Sequence, residues 1–108
     1  MKIDPTLRAL ADPTRLRIMR LLAHMELAVG ELAQVLGQSQ PRVSRHVRIL
    51  AEAGLVERRK EGSWVFLRLR PDAQVKAIRD FINEMPLSDI ERRIVAGDLA
   101  ALKSVQAQ

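Results

Sequence analysis

The 108-residue sequence contains no cysteine and no tyrosine, and aromatic residues make up only 3% of it. Without thiols the chain has no disulfide, no thiolate metal ligand, no catalytic cysteine and no thiol redox switch. The scarcity of aromatic side chains argues against the base-stacking surfaces of single-strand-binding proteins. No apolar run approaches the ~20 residues of a membrane span, and the charged N-terminus does not resemble a signal peptide. We therefore expect a cytoplasmic protein with no membrane partner.

The net charge of +5 is concentrated in one third of the chain. Residues 37–70 hold eight basic and three acidic side chains, whereas the remaining residues hold ten of each. A localised basic segment is the electrostatic signature of a polyanion partner, although a solvated basic face would explain the charge equally well. The composition, 47% hydrophobic and 29% charged, is that of one globular domain spanning residues 1–108.

Helical periodicity and helix-start signals predict six helices. Asp4 and Asp12 each precede a proline, a pairing in which aspartate caps a helix and proline fits its first position. Ser88 and Glu91 form the capping box of the last helix. The short segment Leu27–Val29 is expected to be an apolar link. The predicted helices begin near residues 5, 13, 30, 41, 72 and 88.

A β-hairpin is predicted between the fourth and fifth helices. Its strands cover Leu55–Lys60 and Trp64–Arg70, where apolar side chains of the second strand alternate with a period of two. Gly62 supplies the positive φ that the turn between them requires. The fold class is therefore mainly α with a small β-hairpin: four helices, two strands and two further helices.

The third and fourth helices, at about residues 30–53, form a helix-turn-helix pattern, and the hairpin at 55–70 makes it a winged one. Val43, Val47 and Leu50 give the fourth helix one buried face. Glutamine and arginine on its other faces can read adenine and guanine from the major groove, and basic side chains of the wing suit the DNA backbone. The predicted DNA-contacting residues are Gln38, Ser39, Gln40, Arg42, Ser44, Arg45, His46, Arg58, Arg59, Lys60 and Gly62.

The roles of His46, of the arginines of the second helix and of Trp64 each leave an alternative open. His46 either contacts DNA or bonds to a neighbouring residue. The arginines of the second helix, Arg15, Arg17 and Arg20, either touch phosphate or occupy solvated positions. Trp64 is more typical of packing over the hairpin than of a ligand pocket.

The last helix carries an apolar stripe that is long for so small a chain. It either packs internally or forms a dimer seam together with apolar residues of the first helix. We predict a homodimer held by the terminal helices, residues 1–11 and 72–107. The predicted interface residues are Leu7, Leu10, Ile90, Ile94 and Leu102.

The segments ADPTRLRIMRLL and ELAQVLGQSQPRVSRHVRILAEAGLVERRKEGSWVFLRL together resemble the ArsR/SmtB family of bacterial winged-helix repressors, over about Ala9 to Leu69. The resemblance implies a homodimeric, sequence-specific transcriptional repressor that binds a palindromic operator and is released by a signal. LAVGELAQVLGQSQPRVSRH and ERRKEGSWVFLRL are more similar still to the N-terminal domain of ArsR–methyltransferase fusion proteins. The alternative is thus a DNA-targeting or protein-interaction domain of a larger methyltransferase-linked protein.

The chain departs from the metal-sensing members of that family. Ala28 and Gly30 stand where those members carry the cysteines of a Glu-Leu-Cys-Val-Cys-like motif. Asp72, Asp80 and Glu84 of the fifth helix have no histidine beside them, which makes a poor zinc site. We therefore predict no metal and no cofactor. No glycine-rich nucleotide-binding fingerprint is present, so no enzymatic activity is expected, and no residue set specifies an effector.

Overall fold

The computed structural model describes residues 2–107, which form six helices and a three-stranded sheet. The helices are α1 (Ile3–Leu10), α2 (Pro13–Leu22), α3 (Val29–Leu36), α4 (Gln40–Glu52), α5 (Ala73–Glu84) and α6 (Asp89–Gln106). The strands are β1 (Leu27–Ala28), β2 (Val56–Glu61) and β3 (Trp64–Leu69). The mainly helical, winged helix-turn-helix fold class is confirmed. The predicted domain spans residues 1–108, of which Met1 and Gln108 lie outside the described residues.

Leu27 and Ala28 form a strand, where the sequence suggested a simple link. β1 pairs antiparallel with β3, with Leu27 opposite Leu67 and Ala28 opposite Phe66, so the strand order is β1-β3-β2. Two residues are too few to show a period, and their pairing partners lie far along the chain. The pairing ties the base of the wing to the body of the protein, where Leu27 and Leu67 are completely buried.

The helix ends follow local signals, with one difference in α1. Asp12 caps α2 by accepting a hydrogen bond from the Arg15 amide at 3.0 Å. Both arms of the capping box between Ser88 and Glu91 are formed, at 3.0 and 3.1 Å. α1 begins at Ile3, so Asp4 lies in its first turn and does not cap it.

One hydrophobic core joins the helices to the sheet. Val43, Val47 and Leu50 of α4 are buried as predicted, and they pack α4 against the body of the protein. The orientation of α4 is therefore set by burial of its inner face, and its outer face is left to solvent. The other completely or almost completely buried large side chains are Ile18, Met19, Leu21, Leu27, Leu32, Leu55, Val56, Leu67 and Val75.

A largely buried ion pair joins α2 to α6. The Arg17 guanidinium donates to both carboxylate oxygens of Asp98, at 3.0 and 2.8 Å, and Asp98 is only 7% exposed. The hydrogen bond to Asp98 raises the pKa of Arg17 above its ordinary value. Arg17 also lies 3.5 Å from the carbonyl of Leu36 at the end of α3. Neither sequence-based prediction for Arg17 describes it, because its guanidinium is bound to Asp98 and is neither a free solvated group nor a phosphate contact.

Candidate nucleic-acid interface

The turn before α4 is built from a glycine and a serine. Gly37 ends α3 in the left-handed conformation, with φ at 66°, which costs glycine little. Ser39 then caps α4 by accepting a hydrogen bond from the Arg42 amide at 3.4 Å. The first turn of α4 is exposed, so the positive end of the helix dipole faces solvent.

The outer face of α4 presents donors that have no internal electrostatic partner. Ser39, Gln40, Arg42 and Arg45 are all exposed. Within residues 2–107, neither Arg42 nor Arg45 has a carboxylate oxygen within 4.0 Å. Two guanidinium groups are thus held on one rigid face with their hydrogen-bonding capacity unused.

Gln38 points inward, away from this face. Its amide nitrogen donates to the Thr14 hydroxyl at 3.1 Å. Its side-chain oxygen is buried and finds no hydrogen-bond partner in the described part of the chain. Gln38 therefore links the turn to α2 through a hydrogen bond, whereas the sequence predicted a base contact.

His46 also lies on the inner side of α4. Its side chain is 16% exposed, and its Nδ1 lies 3.3 Å from the Arg15 guanidinium and 4.0 Å from the Asp12 carboxylate. It follows Val43 by three residues and precedes Leu50 by four, which places it at the edge of the buried stripe. The sequence left His46 either as a DNA contact or as a residue bonded to a neighbour, and the structure favours the bond to a neighbour.

Burial lowers the pKa of His46. The Asp12 carboxylate opposes this effect, while Arg15, Arg42 and Arg45 add to it. Because the folded pKa lies below the unfolded value of about 6.5, the unfolded chain takes up a proton first as the pH falls. The stability due to neutral His46 is complete above pH 6.5 and is lost as the pH falls from there toward the folded pKa.

We expect His46→Gln to make the free energy of unfolding fall less steeply below pH 6.5 than in the wild type, because glutamine does not titrate. Urea unfolding at a series of pH values between about 7 and 5 measures this. His24→Gln is the matched control, since it also removes one imidazole. Equal changes in the two variants would contradict the role given to the site of His46.

The wing divides its side chains between two faces. In the antiparallel register Arg58 pairs with Leu67 and Lys60 with Val65. Since paired residues share a face and Leu67 is buried, the face bearing Arg58 and Lys60 turns toward the helices. Arg59 lies on the opposite face, paired with Phe66. Arg58, Lys60 and Gly62 are exposed, and Gly62 has φ at 62° in the turn.

Arg59 is engaged by acids of its own chain. It donates to Glu26 at 2.9 Å and also to Glu61, and these two hydrogen bonds raise its pKa. Its guanidinium carbon lies 5.0 Å from the centre of the Phe66 ring, which is stacked on Trp64. The positive charge of Arg59 is therefore compensated within the protein.

A groove of about 390 Å³ runs between α4 and the wing. From α4 it is lined by Gln40 and the half-buried Ser44, and from the wing by Arg58, Ser63 and Trp64. It opens beside the exposed donors of α4. Val29, Val47 and Val65 also line the groove, so it is a mixed surface in which Arg58 supplies the positive charge.

The predicted dimer residues fall into three classes. Leu7, Ile90 and Ile94 are exposed, so they are available to a second molecule. Leu10 is partly buried against the core of its own chain. Leu102 is fully part of that core and is not available, because α6 turns this residue toward the body. Ile3 of the first helix is exposed as well, and so are Phe81 and Met85, which the sequence did not place in the interface.

Neither a cluster of metal-binding side chains nor a helix of membrane-spanning character is found among residues 2–107. No group of three or more histidine, aspartate or glutamate side chains is gathered to hold a metal ion there. No helix in the same range is long and apolar enough to cross a bilayer.

Comparison of the sequence with known proteins finds relatives in one family. The sequence model of the "bacterial regulatory protein, arsR family" matches residues 12–58. The chain is 51% identical over 65 residues to the arsenical resistance operon repressor of Escherichia coli, covering 59% of this chain and 56% of that protein. It is 40% identical over 98 residues to the arsenic resistance transcriptional regulator ArsR1 of Pseudomonas putida, covering 84% of this chain and 77% of that protein.

A solved structure agrees in fold. The homodimeric winged helix-turn-helix DNA-binding domain of a possible ArsR-family transcriptional regulator from Mycobacterium bovis superposes with a TM-score of 0.69 at 31% identity. The match covers 75% of this chain and 74% of that domain. With its capped recognition helix, its wing and these relatives, the chain belongs to the ArsR family of bacterial regulatory proteins.

Proposed function

We propose that this protein is a homodimeric, sequence-specific DNA-binding transcriptional repressor. The observation that carries the proposal is the outer face of α4, where Gln40, Arg42 and Arg45 are exposed and neither arginine forms an ion pair within residues 2–107. A helix anchored on one side and rich in unengaged donors on the other is what readout of a major groove requires. The relatives named as an arsenical resistance operon repressor and an arsenic resistance transcriptional regulator support it, as does the homodimeric DNA-binding domain.

The proposed contacts with DNA are of two kinds, those with base edges and those with the phosphate backbone. Arg42 and Arg45 can each pair bidentately with a guanine, and Gln40 with an adenine, at ~1–3 kcal/mol of discrimination for each good pair. The positive end of the α4 dipole favours a phosphate. Lys60 near the tip of the wing suits the backbone of the flanking DNA. Gln38 and His46 act through α4, by holding its first half against α2.

The dimer is proposed to form through the exposed apolar residues of α1 and α6. Leu7, Ile90 and Ile94 carry this proposal, and exposed Ile3 extends the apolar surface of α1. Pairing about a two-fold axis would set two recognition helices about 34 Å apart, one turn of B-DNA. Leu102 has no part in the seam, because it is buried in its own chain.

The proposal is tested by selecting bound fragments from random DNA, followed by a salt titration of the winning sequence. We expect one enriched palindrome whose half-sites lie one helical turn apart, and a steep fall of affinity with salt. Sedimentation equilibrium on the same sample should give the mass of two chains. Uniform weak binding, with no enriched sequence, would contradict sequence-specific regulation.

Lys60→Ala is expected to weaken binding to all sequences alike and to lower the salt slope by about one, as for loss of one phosphate contact. Fluorescence anisotropy with matched and mismatched operators measures both quantities. Lys76→Ala on α5 is the control, because it removes the same charge from outside the proposed interface. A change in base preference in the Lys60 variant would show that the wing assignment is wrong.

We propose that the signal that releases the DNA is not sensed by cysteine thiolates within these 108 residues, because none of them is a cysteine. The segments that resemble ArsR–methyltransferase fusion proteins favour an alternative function, a DNA-targeting domain of a larger methyltransferase-linked protein. Sequencing the complete gene separates the two hypotheses, because only the alternative requires a methyltransferase domain in the same open reading frame.

A further inference from the structure

We propose that the groove between α4 and the wing seats a single phosphate of the DNA backbone, with Arg58 as its cation, and that Arg59 does not contact DNA. This inference rests on the proposed function and assigns different roles to two adjacent arginines. Sequence alone makes them equivalent, because they are neighbours in one basic run on the same strand.

The strand register separates the two side chains. Arg58 pairs with Leu67, and Arg59 pairs with Phe66. Successive residues of a strand point to opposite faces, and burial of Leu67 shows which face turns toward the helices. Arg58 therefore lies beside α4 at the DNA-facing surface, while Arg59 lies on the outside of the wing.

Arg58 is free to bind an anion. It is exposed, and among residues 2–107 no carboxylate oxygen lies within 4.0 Å of its guanidinium. It lines the groove together with Ser44, whose hydroxyl can donate to an oxygen of the same phosphate.

Arg59 is not free in this way. Glu26 and Glu61 both accept hydrogen bonds from its guanidinium, and the ring of Phe66 lies under it. One positive charge between two negative charges gives this cluster a net negative charge. A phosphate approaching it would be repelled by both carboxylates and would have to displace two ion pairs.

The groove has the size for a segment of backbone. Its volume of about 390 Å³ falls in the range of sites that hold small molecules. Ser63 and Trp64, at the tip of the wing, also line it. A phosphodiester entering beside α4 would thus be bounded by recognition helix on one side and wing on the other, which fixes the register of the base contacts.

The test compares Arg58→Gln with Arg59→Gln on the operator selected for the wild type. We expect Arg58→Gln to bind about tenfold more weakly, with the salt slope lowered by about one and the base preference unchanged. Arg59→Gln should bind within about twofold of the wild type with the same slope. Arg58→Lys should keep the slope, because it keeps the charge. Thermal melting checks that all three variants fold. An equal or larger loss in Arg59→Gln, or no loss in Arg58→Gln, would overturn the inference.

A second measurement locates the phosphate. Operators carrying one uncharged methylphosphonate at a time are titrated with the wild type and with Arg58→Gln. One position should cost the wild type about tenfold and the variant almost nothing, because the contact is already lost. Equal costs at every position in both proteins would overturn the assignment of Arg58. Failure of the proposed function is distinguishable, because the wild type would then select no operator at all.

Discussion

Asp98→Ala is expected to lower the free energy of unfolding by about 2–3 kcal/mol. Breaking a fully buried ion pair by removing one partner costs ~3–5 kcal/mol, because the other charge is left uncompensated. The Arg17 side chain is 22% exposed, and water reaching it reduces that cost. The loss also frees α6 from α2, since Arg17 donates to both oxygens of Asp98. Urea unfolding followed by circular dichroism measures the change.

Asp89→Ala is the matched control on the same helix. Asp89 pairs with Arg92 at 2.9 Å, but the two side chains are 88% and 67% exposed, so the pair contributes little. We expect a change within about 0.5 kcal/mol. Replacing both partners of the buried pair, as Arg17→Met with Asp98→Leu, should recover much of the lost stability. Equal losses in Asp98→Ala and Asp89→Ala would show that burial of the pair has no energetic consequence.

Arg45→Ala is expected to weaken operator binding by about 1–3 kcal/mol and to relax the preference at one operator base pair. Arg45 is exposed on the outer face of α4, so its removal leaves the core intact. Repeating the DNA selection with the variant shows the preference directly, and a set of single-mismatch operators gives the energies. Arg79→Ala on α5 removes the same charge from outside the interface and should leave the selected sequence unchanged.

The outcome that would contradict this role is a uniform loss. If Arg45→Ala weakened all operators by the same factor, Arg45 would be contacting phosphate and not a base edge. The base reading would then have to come from Gln40 and Arg42, the other exposed donors of the first turns of α4.

The parts of the fold that depend on neighbouring residues could be predicted from the sequence. Gly37 ends α3, Ser39 begins α4 and Ser88 caps α6 because each acts on amides or carbonyls within a few residues. The buried stripe of α4 is equally local, since it is a matter of helical spacing. These signals were enough for the fold class and for the helix that carries the site.

The parts that depend on distant partners could not be predicted. The strand at Leu27 exists because Leu67 pairs with it, and the burial of Asp98 depends on Arg17 at the other end of the chain. The same limit applies to the site. His46 and Gln38 are polar residues near the reading helix, but α2 determines their orientation through Asp12, Arg15 and Thr14. Helical periodicity predicts that a residue lies at the edge of the buried stripe, but it does not predict which residue of another helix contacts it there.

The two faces of α4 have a consequence for how such a protein can change its target. Val43, Val47 and Leu50 hold the helix, whereas Gln40, Arg42 and Arg45 take no part in the core. Exposed positions away from caps and cores usually change stability by no more than about 0.5 kcal/mol when substituted. Mutations at these three positions could therefore accumulate without unfolding the chain. A duplicated gene could acquire a new operator while its product stays as stable as its parent, which makes this helix face the natural place for regulatory divergence.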